Sequence, residues 1–194
     1  METLVINETL QGLLGLAAQE LVSPGLETVV ASESRYLKDL KINFGNALSY
    51  GTLSKKESYL LALAVAINEK NKMAIQSFTE LAKTTEATDA EIAETFACVS
   101  LLNANNVLYR FRHFTKKDTY QNSPAGIKMS IMMNPVLGKE FFELMSLAVS
   151  ALNGCELCVN AHEASLIKLG SSESRIFDAI KLTAIVKSFT AIQF

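Results

Sequence analysis

The sequence predicts an all-α fold, and three observations carry the prediction. Apolar residues recur at spacings of three and four along most of the 194 positions, sustained alternation of β-branched residues is scarce, and Ser/Thr-x-x-Glu signatures open the strongest apolar runs. A strand would show the two-residue period of its pleat, so recurrence at three and four argues for helices.

Taken in order, "METLVINETLQGLLGLAAQELV" reads as an amphipathic helix at the amino terminus. Acidic residues stand where a signal peptide carries its basic region, and no window reaches the roughly 20 apolar residues that cross a bilayer. The expected compartment is the cytoplasm, with no membrane partner. In "TLSKKESYLLALAVAI", Ser54 and Glu57 stand in capping-box register, each able to satisfy an orphan backbone N–H at a helix start. Thr88 and Glu91 repeat the device before a long run in which Ile92, Phe96, Val99, Leu102 and Val107 form the expected apolar face. The turn-rich stretch "TKKDTYQNSPAG", Thr115 to Gly126, is the expected link between two halves. Three consecutive helices follow, from Leu137, Cys155 and Ser171, with Gly154 and Gly170 as carboxyl-terminal stops.

A faint internal echo accompanies this pattern. "LAVAI" from Leu63 and "LAVSA" from Leu147 each lie near the end of an apolar helix, and that offset places Asn71, Ala74 and Phe78 against Cys155, Cys158 and His162. Only the later copy would be chemically armed.

Composition excludes several classes of function. A hydrophobic fraction of 49% with 20% charged residues describes a folded globular chain. With a net charge of −2 and no Lys/Arg stripe to displace counterions, nucleic acid is not an expected partner. Three cysteines in a chain of this length do not make a disulfide scaffold, and a close pair in a reducing compartment points to thiols that turn over.

The chemistry concentrates in "NGCELCVNAHEA", Asn153 to Ala164. Steps of three and four put Cys155, Cys158 and His162 on one helical face. A break at Asn153-Gly154 leaves Cys155 in the first turn, where unpaired N–H groups and the helix dipole favour a thiolate. His162, one turn beyond Cys158, is placed to accept its proton, which makes a nucleophile and a base. A carboxylate should orient that base, and the candidates are Glu143, Glu156 and Glu163. Glu156 and Glu163 read as solvated charges, whereas Glu143 lies in the apolar run "EFFELMSLAVSAL", where a carboxylate needs a partner. The Asn153-Gly154 break can fold one helix back on the other and carry Glu143 to His162.

Other readings of the cysteine pair stay open. A Cys2His2 metal site could be assembled from Cys155, Cys158, His162 and a distant His113 or Cys98, giving a non-enzymatic helical module. A redox-sensing interaction protein is a further alternative. A thioredoxin-like module is disfavoured because no βαβ organisation surrounds the pair. Cys98 reads as core packing, and His113 as a residue that caps or packs near a helix end.

The segment "EFFELMSLAVSALNGCELCVNAHEASL" resembles the active-site region of the alkyl hydroperoxidase D (AhpD) family, within the carboxymuconolactone decarboxylase-like superfamily. The family pattern has a Glu twelve residues before the first Cys, a CxxC, and a His four residues after the second Cys, matched here by Glu143, Cys155, Cys158 and His162. "YLKDLKINFGNAL", "NANNVLYRFRHF" and "GIKMSIMMNP" look like the corresponding family stretches. The resemblance therefore runs from about residue 36 to the carboxyl terminus, with residues 1–35 as an amino-terminal helical extension and 36–194 as the AhpD-like domain.

The resemblance implies an all-helical fold, a homotrimer and thiol-dependent peroxidase activity. It implies that Cys158 attacks the hydroperoxide and passes through a sulfenic acid, and that Cys155 donates a proton and closes the disulfide. His162 would be the general base, with Glu143 completing the proton relay. It further implies regeneration of the peroxiredoxin AhpC, no tightly bound cofactor, and electrons from the dihydrolipoyl group of a lipoylated acyltransferase. One departure is Leu157, which stands where some family members carry a second histidine between the cysteines.

Overall fold

The computed structural model describes residues 23–49 and 51–192, and the expected helix over residues 1–22 lies outside the described residues. Every regular element among the described residues is helical. In chain order these are α1 (Pro24–Ala31), α2 (Arg35–Ala47), α3 (Lys55–Asn68), α4 (Lys72–Thr84), α5 (Asp89–Thr115), α6 (Asp118–Asn122), a 3-10 turn (Ser130–Met132), α7 (Lys139–Leu152), α8 (Glu156–Lys168) and α9 (Glu173–Thr190). Among the described residues no helix is long and apolar enough to cross a membrane.

Helices α3 and α7 form the centre. Burial is unbroken from Leu60 to Ala66 in α3 and from Phe141 to Ser150 in α7, so each is covered on all sides rather than along one stripe. They pack against each other, with α4 and α8 as their respective sequence neighbours and α5 and α9 closing the bundle. Both expected capping boxes form: Ser54 and Thr88 cap Glu57 and Glu91, whose carboxylates return to the cap residues' own N–H groups.

The internal echo becomes geometry. Helix α3 maps onto α7, and α4 onto α8, at both ends with one step of 84 residues, and the same step carries Asp89 at the start of α5 to Glu173 at the start of α9. In the earlier copy Tyr59, Asn71, Ala74 and Phe78 stand in the places of Glu143, Cys155, Cys158 and His162.

Two expectations need correction. Phe96 and Val107 are 41% and 61% exposed. The buried arc of α5 is centred near Leu102, with Cys98 and Asn106 beside it, and at 3.6 residues per turn both side chains fall more than about 100° away from that centre. The stretch Thr115–Gly126 is more than a run of turns, because Asp118–Asn122 winds into α6. Within the amino-terminal region, Leu26 and Val30 of α1 join the core, and Ser23 Oγ donates to the Ile192 carbonyl.

Candidate active site

The site begins where α7 ends. Gly154 takes φ +64°, its N–H reaches the Ala151 carbonyl, and the Cys155 N–H reaches the Ser150 carbonyl, which is the paired bonding of a Schellman termination. Cys155 is simultaneously the N-cap of α8, so one residue closes the first helix and opens the second. That is one position earlier than the expected first turn. Cys158 is the third residue of α8, so the positive helix end acts on both sulfurs.

Polar side chains that the sequence reading passed over hold this hinge. Asn153 accepts from Asn68 at 3.2 Å and donates to Asn106 at 2.9 Å, while Asn106 donates to Ser150 Oγ at 3.0 Å. Arg110 donates to the Asn153 carbonyl. The available signal was "NANN" beside the apolar run of α5, since an amide on the buried face, such as Asn105 or Asn106, must find partners.

The fold brings the four expected residues together. Cys155 and Cys158 are joined by a disulfide with their Cα atoms 5.3 Å apart. His162 Nδ1 lies 2.6 Å from Glu143 Oε2, with both side chains close to nine-tenths buried. A carboxylate at Nδ1 fixes the ring and favours a proton on that nitrogen, leaving Nε2 as the basic atom. Glu163 is exposed; Glu156 is exposed too and meets His113 Nε2 at 3.3 Å.

A cavity of about 300 Å³ has Cys158 and His162 in its wall. Leu102 and Tyr109 of α5, Met129 and Met132 of the segment before α7, and Leu157 and Ala161 of α8 make most of the remaining lining. Leu157 thus presents an apolar wall rather than a second titrating ring. Cys155 is fully buried and does not line this space. The segment that carries Met129 and Met132 is tied down by Glu94, whose carboxylate accepts from the Val136 and Leu137 N–H groups at 2.9 and 2.6 Å.

The remaining ligand candidates have other partners. Cys98 is fully buried beside Ser146 Oγ at 3.7 Å, and burial pushes its thiol up to about 12. His113 is turned onto Glu156. Among the described residues no three His, Cys, Asp or Glu side chains converge as a metal site.

An all-helical bundle with a Cys-x-x-Cys disulfide at a helix start and a carboxylate–imidazole pair beside it defines the class, and the model of the carboxymuconolactone decarboxylase family matches residues 119–193. Similarity over roughly four-fifths of the chain is narrower in kind. The chain is 38% identical over 160 residues to the alkyl hydroperoxide reductase AhpD of Coxiella burnetii (strain Dugway 5J108-111), covering 81% of this chain and 90% of that protein. It is 35% identical over 149 residues to the AhpD of Anaeromyxobacter dehalogenans (strain 2CP-C), covering 77% and 80% of the two chains. With the AhpD of Rhodopseudomonas palustris (strain BisB18) it shares 35% identity over 153 residues, covering 79% and 84%. The chain belongs to the AhpD family.

Proposed function

We propose that this protein is a thiol-dependent alkyl hydroperoxide reductase that cycles Cys155 and Cys158 between dithiol and disulfide. The observation that carries the reading is the apolar cavity whose wall holds Cys158 and a carboxylate-backed His162. The name those relatives carry, alkyl hydroperoxide reductase, supports the same chemistry.

In the reduced protein the Cys158 thiol gives its proton to His162 Nε2, and Glu143 stabilises the imidazolium that results. The thiolate attacks the terminal oxygen of the hydroperoxide. The O–O bond breaks, the alkoxide takes a proton and leaves as the alcohol, and Cys158 becomes a sulfenic acid. Cys155 then displaces water from that sulfur and forms the disulfide. Two electrons return from a dihydrolipoyl group, which is oxidised to its cyclic disulfide as the dithiol is restored. In this reading a lipoylated acyltransferase carries the donor in the cytoplasm, the peroxiredoxin AhpC is a second substrate whose disulfide the dithiol reduces, and the working unit is a homotrimer.

The test is hydroperoxide consumption with dihydrolipoamide as reductant. Cys158→Ser should abolish turnover, and unchanged activity in that variant would sink the mechanism. Cys155→Ser mixed with oxidised AhpC should trap a mixed disulfide through Cys158.

A further inference from the structure

We propose that Asn105 binds the hydroperoxide group of the substrate, its carboxamide holding the –O–O–H over Cys158. This rests on the hydroperoxide reading above. Asn105 lies on the inner face of α5, is 5% exposed, and lines the same cavity as Cys158 and His162. Its Nδ2 donates to the Met129 thioether at 3.2 Å, a weak acceptor. Its Oδ1 is buried and, among the described residues, receives no hydrogen bond. Buried amide oxygens are nearly always paired, and an orphan on a residue that lines the cavity of Cys158 and His162 points to a partner that arrives with the ligand.

The internal repeat shows that packing does not require an amide here. The step of 84 residues that carries Ala74 to Cys158 and Phe78 to His162 carries Asn105 to Phe189. In that twin position Phe78 and Phe189 both pack on Phe44 of α2, with ring centroids 6.1 and 5.4 Å from it. The same architecture is satisfied there by aromatic rings. A polar group at 105 therefore serves something other than the bundle.

Its chemistry matches a hydroperoxide. The terminal oxygen, which the thiolate attacks, carries the substrate's O–H, and Oδ1 is an acceptor for it. The second hydrogen of Nδ2 is a donor for the inner oxygen, where negative charge develops as the O–O bond breaks and before the alkoxide is protonated. Leu102, Met132 and Leu157 then face the alkyl substituent.

The experiment compares two oxidants of the same reduced dithiol: cumene hydroperoxide and lipoamide in its cyclic disulfide form, each followed by acid quench and thiol counting. In Asn105→Leu the second-order rate constant with cumene hydroperoxide should fall about 10- to 100-fold. Exchange with lipoamide should stay within about threefold of wild type, because it uses the thiols without an O–O–H group. A hydroperoxide rate equal to wild type, or equal losses with both oxidants, would overturn the assignment. If Asn105→Leu does not fold, Asn105→Ala carries the same comparison and the same two outcomes. Wild-type protein that reacts with cumene hydroperoxide no faster than dithiothreitol does would overturn the hydroperoxide reading itself, a result distinct from loss of selectivity in the variant.

Discussion

His162 and Cys98 show how far environment, rather than residue type, sets chemistry. The imidazole has a buried carboxylate at 2.6 Å, and replacing it removes a base and strands Glu143 together. His162→Phe, which installs the residue of the unarmed copy, should lower hydroperoxide turnover by about 10²- to 10⁴-fold. It should also cost roughly 3 to 5 kcal/mol of stability, since a nearly buried carboxylate loses its partner; urea unfolding beside the turnover assay separates the two effects. Cys98 should be silent. With its thiol held up to about 12, the reduced native protein should titrate two thiols at pH 8 and a third only in denaturant. The linkage has a definite sign: the folded state keeps the Cys98 proton where the unfolded chain, with a thiol near 9, has lost it. Its contribution is fully present below pH 9 and is lost as pH rises toward about 12, so unfolding curves of wild type and Cys98→Ala should converge or cross in that window. Cys155, Cys158 and His162 were legible in the sequence because helical periodicity fixes their relation locally, whereas Glu143 stood out through its apolar surroundings and the family pattern. Asn105 and Arg110 were not, because their relevance depends on α5 crossing α8, a contact between segments about 50 residues apart in the chain.

At the scale of elements, the hinge between α7 and α8 and the pin that joins α9 to both halves carry the site. Gly154 holds φ +64°, a left-handed conformation that costs an L-residue about 1 to 2 kcal/mol. No neighbouring atom lies within 4 Å of where its Cβ would stand, so Gly154→Ala should lower stability by about that amount through backbone strain alone, as read by denaturant unfolding. Arg175 of α9 forks onto Glu140 at the start of α7, with both bonds at 2.9 Å, and reaches Glu57 in the capping box of α3. The Arg175 hydrogen bonds hold Glu140 below the usual carboxylate range. For Glu57, burial acts upward but the bonds from Arg175 and Ser54 outweigh it, and the net shift is also downward. Both folded-state values lie below the unfolded ones, so this stabilisation is present above about pH 4.5 and fades as pH falls through the lowered values. Arg175→Met should flatten the acid limb of the stability profile between pH 6 and 3, measured by urea unfolding at each pH. Helix starts were readable from Ser54, Glu57, Thr88 and Glu91 because capping is local chemistry. The true face of α5 was not, since which arc is buried depends on what packs against it.

For the whole molecule, the repeat of α3 and α4 in α7 and α8 gives one bundle with two equivalent niches, one closed by Phe44, Phe78 and Phe189 and the other open above Cys158. Outside the bundle, α5 leaves Phe96, Val107, Phe111 and Phe114 exposed along one stripe. The proposed trimer has a plain test: light scattering should return three times the 21.2 kDa chain mass, and Phe114→Glu should reduce it if this stripe is the contact. By itself the sequence determined the all-α class, the main helix starts, the glycine stops and the row of Cys155, Cys158 and His162, because each follows from spacing within one or two turns. Only the tertiary structure decided that Glu143 reaches His162, that Cys158 rather than Cys155 lines the cavity, and that Asn105 lines it too. Those facts depend on how α5, α7 and α8 cross, and crossing is settled by packing between segments distant in the chain rather than by local periodicity.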